Sequence, residues 1–188
     1  MTIATKMKAE ESGQALVELA FGLVMLCVFV FGIIDFGRAI YDVQVMKNLV
    51  GEGSSLASRT DTNNLSQAVT TVMNDAGNDL HMSSSGCVII TQVSNLGTGT
   101  PQVVAQSTGG GLTGTSCKSK IGCVSGTTGC STGNAAIPTA AVNALTTEGS
   151  GASVYATEFY YRFTALTPIA NLLGNNVLPS ELYSAAYY

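Results

Sequence analysis

The feature that most constrains this chain is a long apolar run near its N-terminus, broken by a single glutamate. Residues 15–34 read ALVELAFGLVMLCVFVFGII, with the polar residues 10–12 before them and Asp35 and Arg38 after them. As a helix the run would be about 30 Å long, which matches the hydrocarbon thickness of a bilayer. The sequence therefore predicts a segment that crosses a membrane once.

Three interpretations of the run compete. A cleaved secretory signal has an apolar core of about 7–15 residues and a small-residue cleavage site, whereas this run is longer and no such site follows it. An ordinary transmembrane anchor is the second interpretation. A prepilin-type N-terminus, which is also a membrane anchor before assembly, is the third.

Glu18 distinguishes the second interpretation from the third. A charge within a membrane costs roughly 2–4 kcal/mol, and less near the interface, so in an ordinary anchor Glu18 would stay hydrated near the headgroups. Gly13, however, precedes it by five residues, and Lys6 and Lys8 lie in a short polar segment upstream.

This arrangement resembles a known signature. Gly-x-x-x-x-Glu before an apolar helix is typical of the processing site of type IV prepilins, and here it reads GQALVE over residues 13–18. Residues 12–58 more closely resemble the TadE-like family, minor pilins or pseudopilins of the tight-adherence (Flp, type IVc) pilus system. Further matching residues are Asp35, Phe36, Gly37, Arg38, Ala39, Tyr41, Asn48, Glu52, Gly53 and Ala57.

The resemblance implies a maturation pathway and a set of partners. A prepilin peptidase would cut after Gly13 and leave Gln14 as the mature N-terminus. Glu18 would then pair with the N-terminal amine of a neighbouring subunit and set the register between subunits. The other implied partners are the major Flp pilin, other minor pilins and the inner-membrane assembly platform.

The helix is predicted to continue beyond the membrane, so that residues 14 to 57 form an element roughly 65 Å long. Apolar residues recur there at steps of three or four, which predicts a helix face packed against the rest of the protein. That face comprises Phe36, Ile40, Val43, Met46 and Val50, and the opposite face comprises Asp35, Arg38, Asp42 and Lys47.

Downstream, the pattern predicts an α+β domain: one or two helices packed on a three- to four-stranded antiparallel sheet. Helices are expected at residues 65–80, with Asn64 as N-cap, and at 137–147. Strands are expected at 87–93, 101–106, 152–163 and 179–188. In the third strand the alternating set Tyr155, Thr157, Phe159, Tyr161 and Phe163 is the predicted buried face.

Four cysteines fall in this predicted domain: Cys87, Cys117, Cys123 and Cys130. An even number of cysteines outside the cytoplasm indicates disulfides, with three possible connectivities. Bridges would restrain the loop 107–136, which is rich in Gly, Ser and Thr. Zinc is disfavoured because the spacing lacks a tight Cys-x2–4-Cys pair, and Cys27 is a separate residue within the apolar run.

The apolar segment 166–178 admits two interpretations. Ile169, Leu172 and Leu173 could lie in the membrane surface or cover the sheet, and we favour the second.

No catalytic, metal or cofactor site is predicted. His81 stands alone, the glycines 109–111 lack the Gly-Lys-Ser/Thr continuation of a phosphate loop, and the net charge of -4 argues against nucleic acid as a partner. The predicted organisation is a cytoplasmic leader at 1–13, a transmembrane helix at 14–34, a helical stalk at 35–58 and an exported domain at 59–188.

These features favour a structural role over catalysis. The leading hypothesis is a minor pilin or pseudopilin that takes part in assembling a tight-adherence pilus for surface adhesion. It would reside in the bacterial inner membrane as a single-pass protein with its N-terminus in the cytoplasm and its C-terminal domain outside, or in the pilus itself. The alternatives are an unprocessed membrane-anchored adhesin or envelope binding module, and a membrane-tethered enzyme, for which no titratable cluster is evident.

Overall fold

The structure, a computed structural model, describes residues 3–60, 64–95, 101–123, 137–168 and 179–188. Its helices are α1 (Ile3–Ser58), α2 (Leu65–Leu80), α3 (Met82–Ser85) and α4 (Thr139–Glu148). Its strands are β1 (Gly86–Ser94), β2 (Gln102–Gly110), β3 (Ser153–Arg162) and β4 (Glu181–Tyr187). A 3-10 turn follows β2 at Gly114–Ser116.

The chain divides into two compact units. The N-terminal unit comprises Met1–Ala39 together with Ala165–Leu178, and the sheet unit comprises Ile40–Thr164 together with Pro179–Tyr188. The helix α1 contributes residues to both units.

The helix α1 is uninterrupted from Ile3 to Ser58, and residues 3–58 contain no proline that would break it. It begins within the predicted polar leader. It ends at Ser58, one residue beyond the predicted end at residue 57, and the Ser58 hydroxyl donates to the Ser55 carbonyl at 2.8 Å. At 56 residues it is about 84 Å long.

The predicted buried face of the stalk was wrong in part. Phe36 and Ile40 are exposed, whereas Asp35 and Asp42, assigned to the polar face, are buried. The buried positions follow helical spacing all the same: Asp35, Ala39, Asp42, Met46, Leu49, Val50, Gly53, Ser54 and Ala57. Hydrophobicity therefore identified a periodic helix, but not which side is covered.

The four strands form one antiparallel sheet in the order β2-β1-β3-β4. This confirms the predicted α+β class. Strand β1 is central and all nine of its residues are buried, which explains its β-branched sequence.

One face of the sheet is covered by helices. Cross-strand pairs place Val88 opposite Phe159 and Ile90 opposite Thr157 on this face. The C-terminal part of α1 approaches it at Gly53, and α2 reaches β2 at Gly109. Both contacts are close because a glycine occupies the contact point.

The opposite face is covered as well, which the sequence did not predict. Ala156, Glu158 and Tyr160 point away from Thr157 and Phe159 yet are buried. Segment 112–123 and helix α4 lie over them, with Ile121 and Leu145 joining Val93, Val103 and Ala156 in one apolar cluster. The prediction of a single buried face on β3 was therefore incomplete.

Strand β2 is longer than predicted, since it continues through the glycine-rich residues to Gly110. Pairing with Cys87, Val88 and Ile89 of β1 offsets the poor strand propensity of this segment. Asn64 is the N-cap residue of α2, as predicted, but its side chain makes no capping hydrogen bond.

Candidate functional site

The residues of the predicted processing site lie on α1 and are exposed. Gly13, Gln14 and Glu18 are all helical. Glu18 and Gly22, one turn apart, line a groove on the surface of α1 together with Ala15, Leu19, Leu23 and Leu26. The missing side chain of Gly22 creates this recess beside the carboxyl group.

The apolar run on α1 has the length and composition to cross a membrane, and none of its most apolar window is buried. Phe21 and Ile33, for example, are each 72 % exposed. A core helix of a soluble protein would bury such residues, because their transfer from water is worth about 1.5–3 kcal/mol each. The exposed apolar surface is that expected of a segment whose natural surroundings are lipid or other apolar helices.

Directly after this run, Asp35 is 1 % exposed. Its Oδ1 accepts hydrogen bonds from the backbone N–H of Leu166 at 2.9 Å and of Thr167 at 3.3 Å. Its Oδ2 accepts one from the Thr167 hydroxyl. The bonds replace the water that the carboxylate loses on burial, and they connect positions 131 and 132 residues apart.

The cysteines take different roles. Cys87 at the start of β1 forms a disulfide with Cys117, with Cα atoms 5.9 Å apart. Cys123 is also disulfide-bonded, and Cys130 lies outside the described residues. Cys27 is a free cysteine, exposed on α1.

A second cluster forms around Glu158, which is completely buried on the loop-covered face of β3. Its Oε1 accepts hydrogen bonds from the Lys120 backbone N–H at 2.9 Å and from the Tyr183 hydroxyl at 3.0 Å. Its Oε2 accepts one from the Ser119 hydroxyl. Glu158 therefore holds segment 118–122 against the sheet, close to the Cys87–Cys117 disulfide.

Two tyrosines complete this cluster. The hydroxyl of Tyr160 donates to the Lys118 carbonyl at 2.6 Å, and the rings of Tyr160 and Tyr183 are 4.9 Å apart. The ammonium group of Lys120 lies 3.6 Å from the centre of the Tyr183 ring, within cation–π range. Loss of water, nearly complete around Tyr160 and partial around Tyr183, and then the charge of Glu158 raise the pKa of both tyrosines above the usual range.

Sequence reasoning missed Glu158 because an isolated glutamate in an alternating strand is ordinarily an exposed residue. The sequence contained one indication that Glu158 is buried. Glu158 shares its side of β3 with Ala156 and Tyr160, and both of these residue types are often buried. The cluster has the composition of a structural clamp. Its members donate and accept hydrogen bonds within the fold.

His81 does not join any of these groups. It is exposed, joins α2 to α3 and adopts a left-handed backbone conformation with φ of 37°. Within the part of the chain that the structure describes, no group of three or more His, Cys, Asp or Glu residues could hold a metal ion.

The fold and these features define a class: an α+β protein that carries, at its N-terminus, one long helix apolar enough to span a membrane. Residues 13–54 match the family model described as TadE-like protein. This confirms the resemblance seen in the sequence, over the segment that contains Gly13, Glu18 and Asp35, and it connects the chain with the Tad pilus system. Searches of curated proteins and of solved structures found no significant match.

Proposed function

We propose that this protein is a minor pilin or pseudopilin that takes part in assembling a tight-adherence pilus used for surface adhesion. The observation that carries the proposal is the TadE-like match over residues 13–54, on a helix whose apolar surface is exposed. A TadE-like segment implies other pilus components as partners in general. The major Flp pilin, other minor pilins and the inner-membrane assembly platform are the specific partners proposed here.

Residues 14–34 hold the protein in the cytoplasmic membrane, with the N-terminus in the cytoplasm and the sheet unit on the opposite side. The orientation rests on the proposed TadE-like role. The Lys/Arg count does not decide it, because Lys6 and Lys8 precede the apolar run and Arg38 and Lys47 follow it.

A prepilin peptidase then cuts between Gly13 and Gln14. The backbone there is helical, so cleavage requires local unwinding of α1. Glycine at position 13 lowers the cost of that unwinding, because glycine is about 1 kcal/mol less favourable than alanine within a helix. Residues 1–13 leave, and Gln14 carries a new amino group.

Glu18 sets the register between subunits. Its carboxyl group stands beside the recess at Gly22, where a neighbouring helix can approach closely. The new amine of a neighbouring subunit offsets the cost of burying Glu18 among apolar helices.

Lateral contacts continue outside the membrane through the exposed side of α1. In the sheet unit, Ile40 is 58 % exposed and Tyr41 is 53 % exposed, although both are large and largely apolar. Such side chains on a single helix are suited to packing against another helix.

The test is the mass of the N-terminal peptide of the membrane-extracted protein from cells with an active prepilin peptidase. We expect the mature chain to start at Gln14 and Gly13→Ala to block cleavage. Gly32→Ala is the matched control, because Gly32 also lies in α1 with open surroundings, and it should be processed normally. An intact leader in the wild type would contradict the proposal.

The intact leader would instead favour a membrane-anchored adhesin or envelope binding module. That second candidate rests on the sheet unit. There a disulfide and the hydrogen bonds to Glu158 connect segment 117–120 to the sheet.

A further inference from the structure

Leu166 is a large apolar residue that is 70 % exposed, although the backbone on which it sits is fixed. Its N–H donates to Asp35 Oδ1 at 2.9 Å, and the next residue, Thr167, donates to the same carboxylate through both its backbone and its hydroxyl. A leucine without a supporting contact of this kind could turn away from water. Here three hydrogen bonds hold residues 166 and 167 in place while the leucine side chain stays exposed.

The position of Asp35 in the chain tells where Leu166 is held. Asp35 directly follows Ile34, the last residue of the apolar run, so the two are separated by a rise of about 1.5 Å along α1. Exposed apolar side chains flank the aspartate on the same helix, with Ile33 at 72 % and Phe36 at 49 %. Leu166 therefore stands at the level where the proposed membrane span ends.

The amino-acid composition of the sequence around Leu166 is compatible with the end of the proposed membrane span. No charged residue occurs between Arg162 and Glu181. After Pro168 the sequence continues as IANLLGNNVL, which combines aliphatic residues with asparagines. Uncharged segments with aliphatic side chains suit the boundary between headgroups and acyl chains, where a carboxylate or ammonium would oppose insertion.

We propose that Asp35 holds Leu166 and Thr167 at the outer surface of the lipid bilayer, with the Leu166 side chain inserted among the lipids. This inference rests on the proposed anchoring by residues 14–34. It assigns Asp35 the role of a positioning residue: its carboxylate accepts the N–H groups that would otherwise be desolvated at the interface. The sequence-based preference that Ile169, Leu172 and Leu173 cover the sheet stays a prediction, because these three residues lie outside the described part of the chain.

The absence of tryptophan from the chain makes a direct test possible, because an introduced tryptophan is the sole reporter of its kind. The variants Leu166→Trp and Phe21→Trp are made in the full-length protein and placed in phosphatidylcholine nanodiscs. Quenching is measured with lipids that carry a nitroxide either near the headgroup or deep in the acyl chain, and with aqueous acrylamide. The Phe21→Trp variant reports separately on the membrane span.

The expected result for Leu166→Trp is stronger quenching by the shallow nitroxide than by the deep one, blue-shifted emission and protection from acrylamide. The indole of Phe21→Trp should be quenched more by the deep nitroxide. Adding Asp35→Ala or, as a milder change, Thr167→Val should increase acrylamide quenching of the Leu166→Trp reporter and leave the Phe21→Trp reporter unchanged.

Several outcomes overturn the inference. If nitroxide lipids quench the Phe21→Trp reporter but only acrylamide quenches the Leu166→Trp reporter, residues 14–34 span the membrane but Leu166 is not inserted among the lipids. If the Leu166→Trp reporter is protected from both quenchers, protein covers it rather than lipid. If lipid quenches neither reporter, the proposed anchoring fails with it. Lipid quenching at position 166 that survives both Asp35→Ala and Thr167→Val removes the role given to Asp35.

Discussion

Gly53 of α1 lies directly against Thr157 of β3. A Cβ atom built on Gly53 would come within 3.0 Å of Thr157 Cγ2 and 3.1 Å of a Val72 methyl in α2. The glycine thus allows the end of α1, the sheet and α2 to meet at one point.

A larger residue at this point should force the three elements apart. We expect Gly53→Val to lower the free energy of unfolding by about 1–3 kcal/mol, the usual cost of overpacking a core. The measurement is denaturant unfolding of the full-length protein in detergent micelles, followed by tyrosine fluorescence. Gly51→Val is the matched control because Gly51 is exposed and has open space around it. Equal effects of the two substitutions would show that the contact at Gly53 is not tight.

Removing the buried carboxyl group of Glu158 should destabilise the sheet unit. In Glu158→Leu the Lys120 N–H and the Ser119 and Tyr183 hydroxyls lose their acceptor. A buried donor left without a partner costs about 1–3 kcal/mol, and because these donors are only partly buried we expect a total loss of about that size in the same unfolding assay. Glu148→Gln at the exposed end of α4 should change stability by no more than about 0.5 kcal/mol. If Glu158→Leu has the same free energy of unfolding as the wild type, the cluster makes no net contribution to stability.

The stability of the sheet unit should fall in alkaline solution. Burial, followed by the charge of Glu158, raises the pKa of Tyr160 and Tyr183 in the folded protein, whereas an unfolded tyrosine titrates near pH 10. Above about pH 10 the unfolded chain therefore releases these protons and the folded chain retains them, which favours unfolding as the pH rises.

The measurement for this effect is the free energy of unfolding as a function of pH, with tyrosinate absorbance recorded in parallel. Tyr183→Phe removes one of the two groups and should make the alkaline decline shallower. A decline with the same slope in both proteins would contradict the assignment to Tyr183.

Loss of the Cys87–Cys117 disulfide should weaken the fold by releasing the segment that covers one face of the sheet. The bridge joins positions 30 residues apart. The loop-entropy relation then gives a contribution of about 3–4 kcal/mol. We expect the double variant Cys87→Ala/Cys117→Ala to shift the denaturation midpoint downwards by a corresponding amount, and Cys27→Ala, on the exposed surface of α1, to leave it unchanged. A midpoint that is the same in the double variant and the wild type would argue against a stabilising bridge.

Much of the architecture followed from the sequence because it depends on local patterns. The apolar run, the absence of proline before residue 101 and the helical spacing beyond residue 34 suffice to indicate one long helix. Likewise, β-branched and alternating residues located β1 and β3, and the antiparallel α+β class followed. The motif at Gly13 and Glu18 was visible in the sequence as well, and the family match covers it.

The covered surfaces depended on contacts between residues far apart in the chain, which periodicity does not encode. Asp35 is buried only because Leu166 and Thr167 bring hydrogen-bond donors to it from 131 and 132 residues away. Glu158 is buried only because segment 118–122 folds over β3 and supplies matching donors. Hydrophobicity ranks both carboxylates as surface residues; the tertiary structure makes their burial favourable by replacing each lost water with a hydrogen bond.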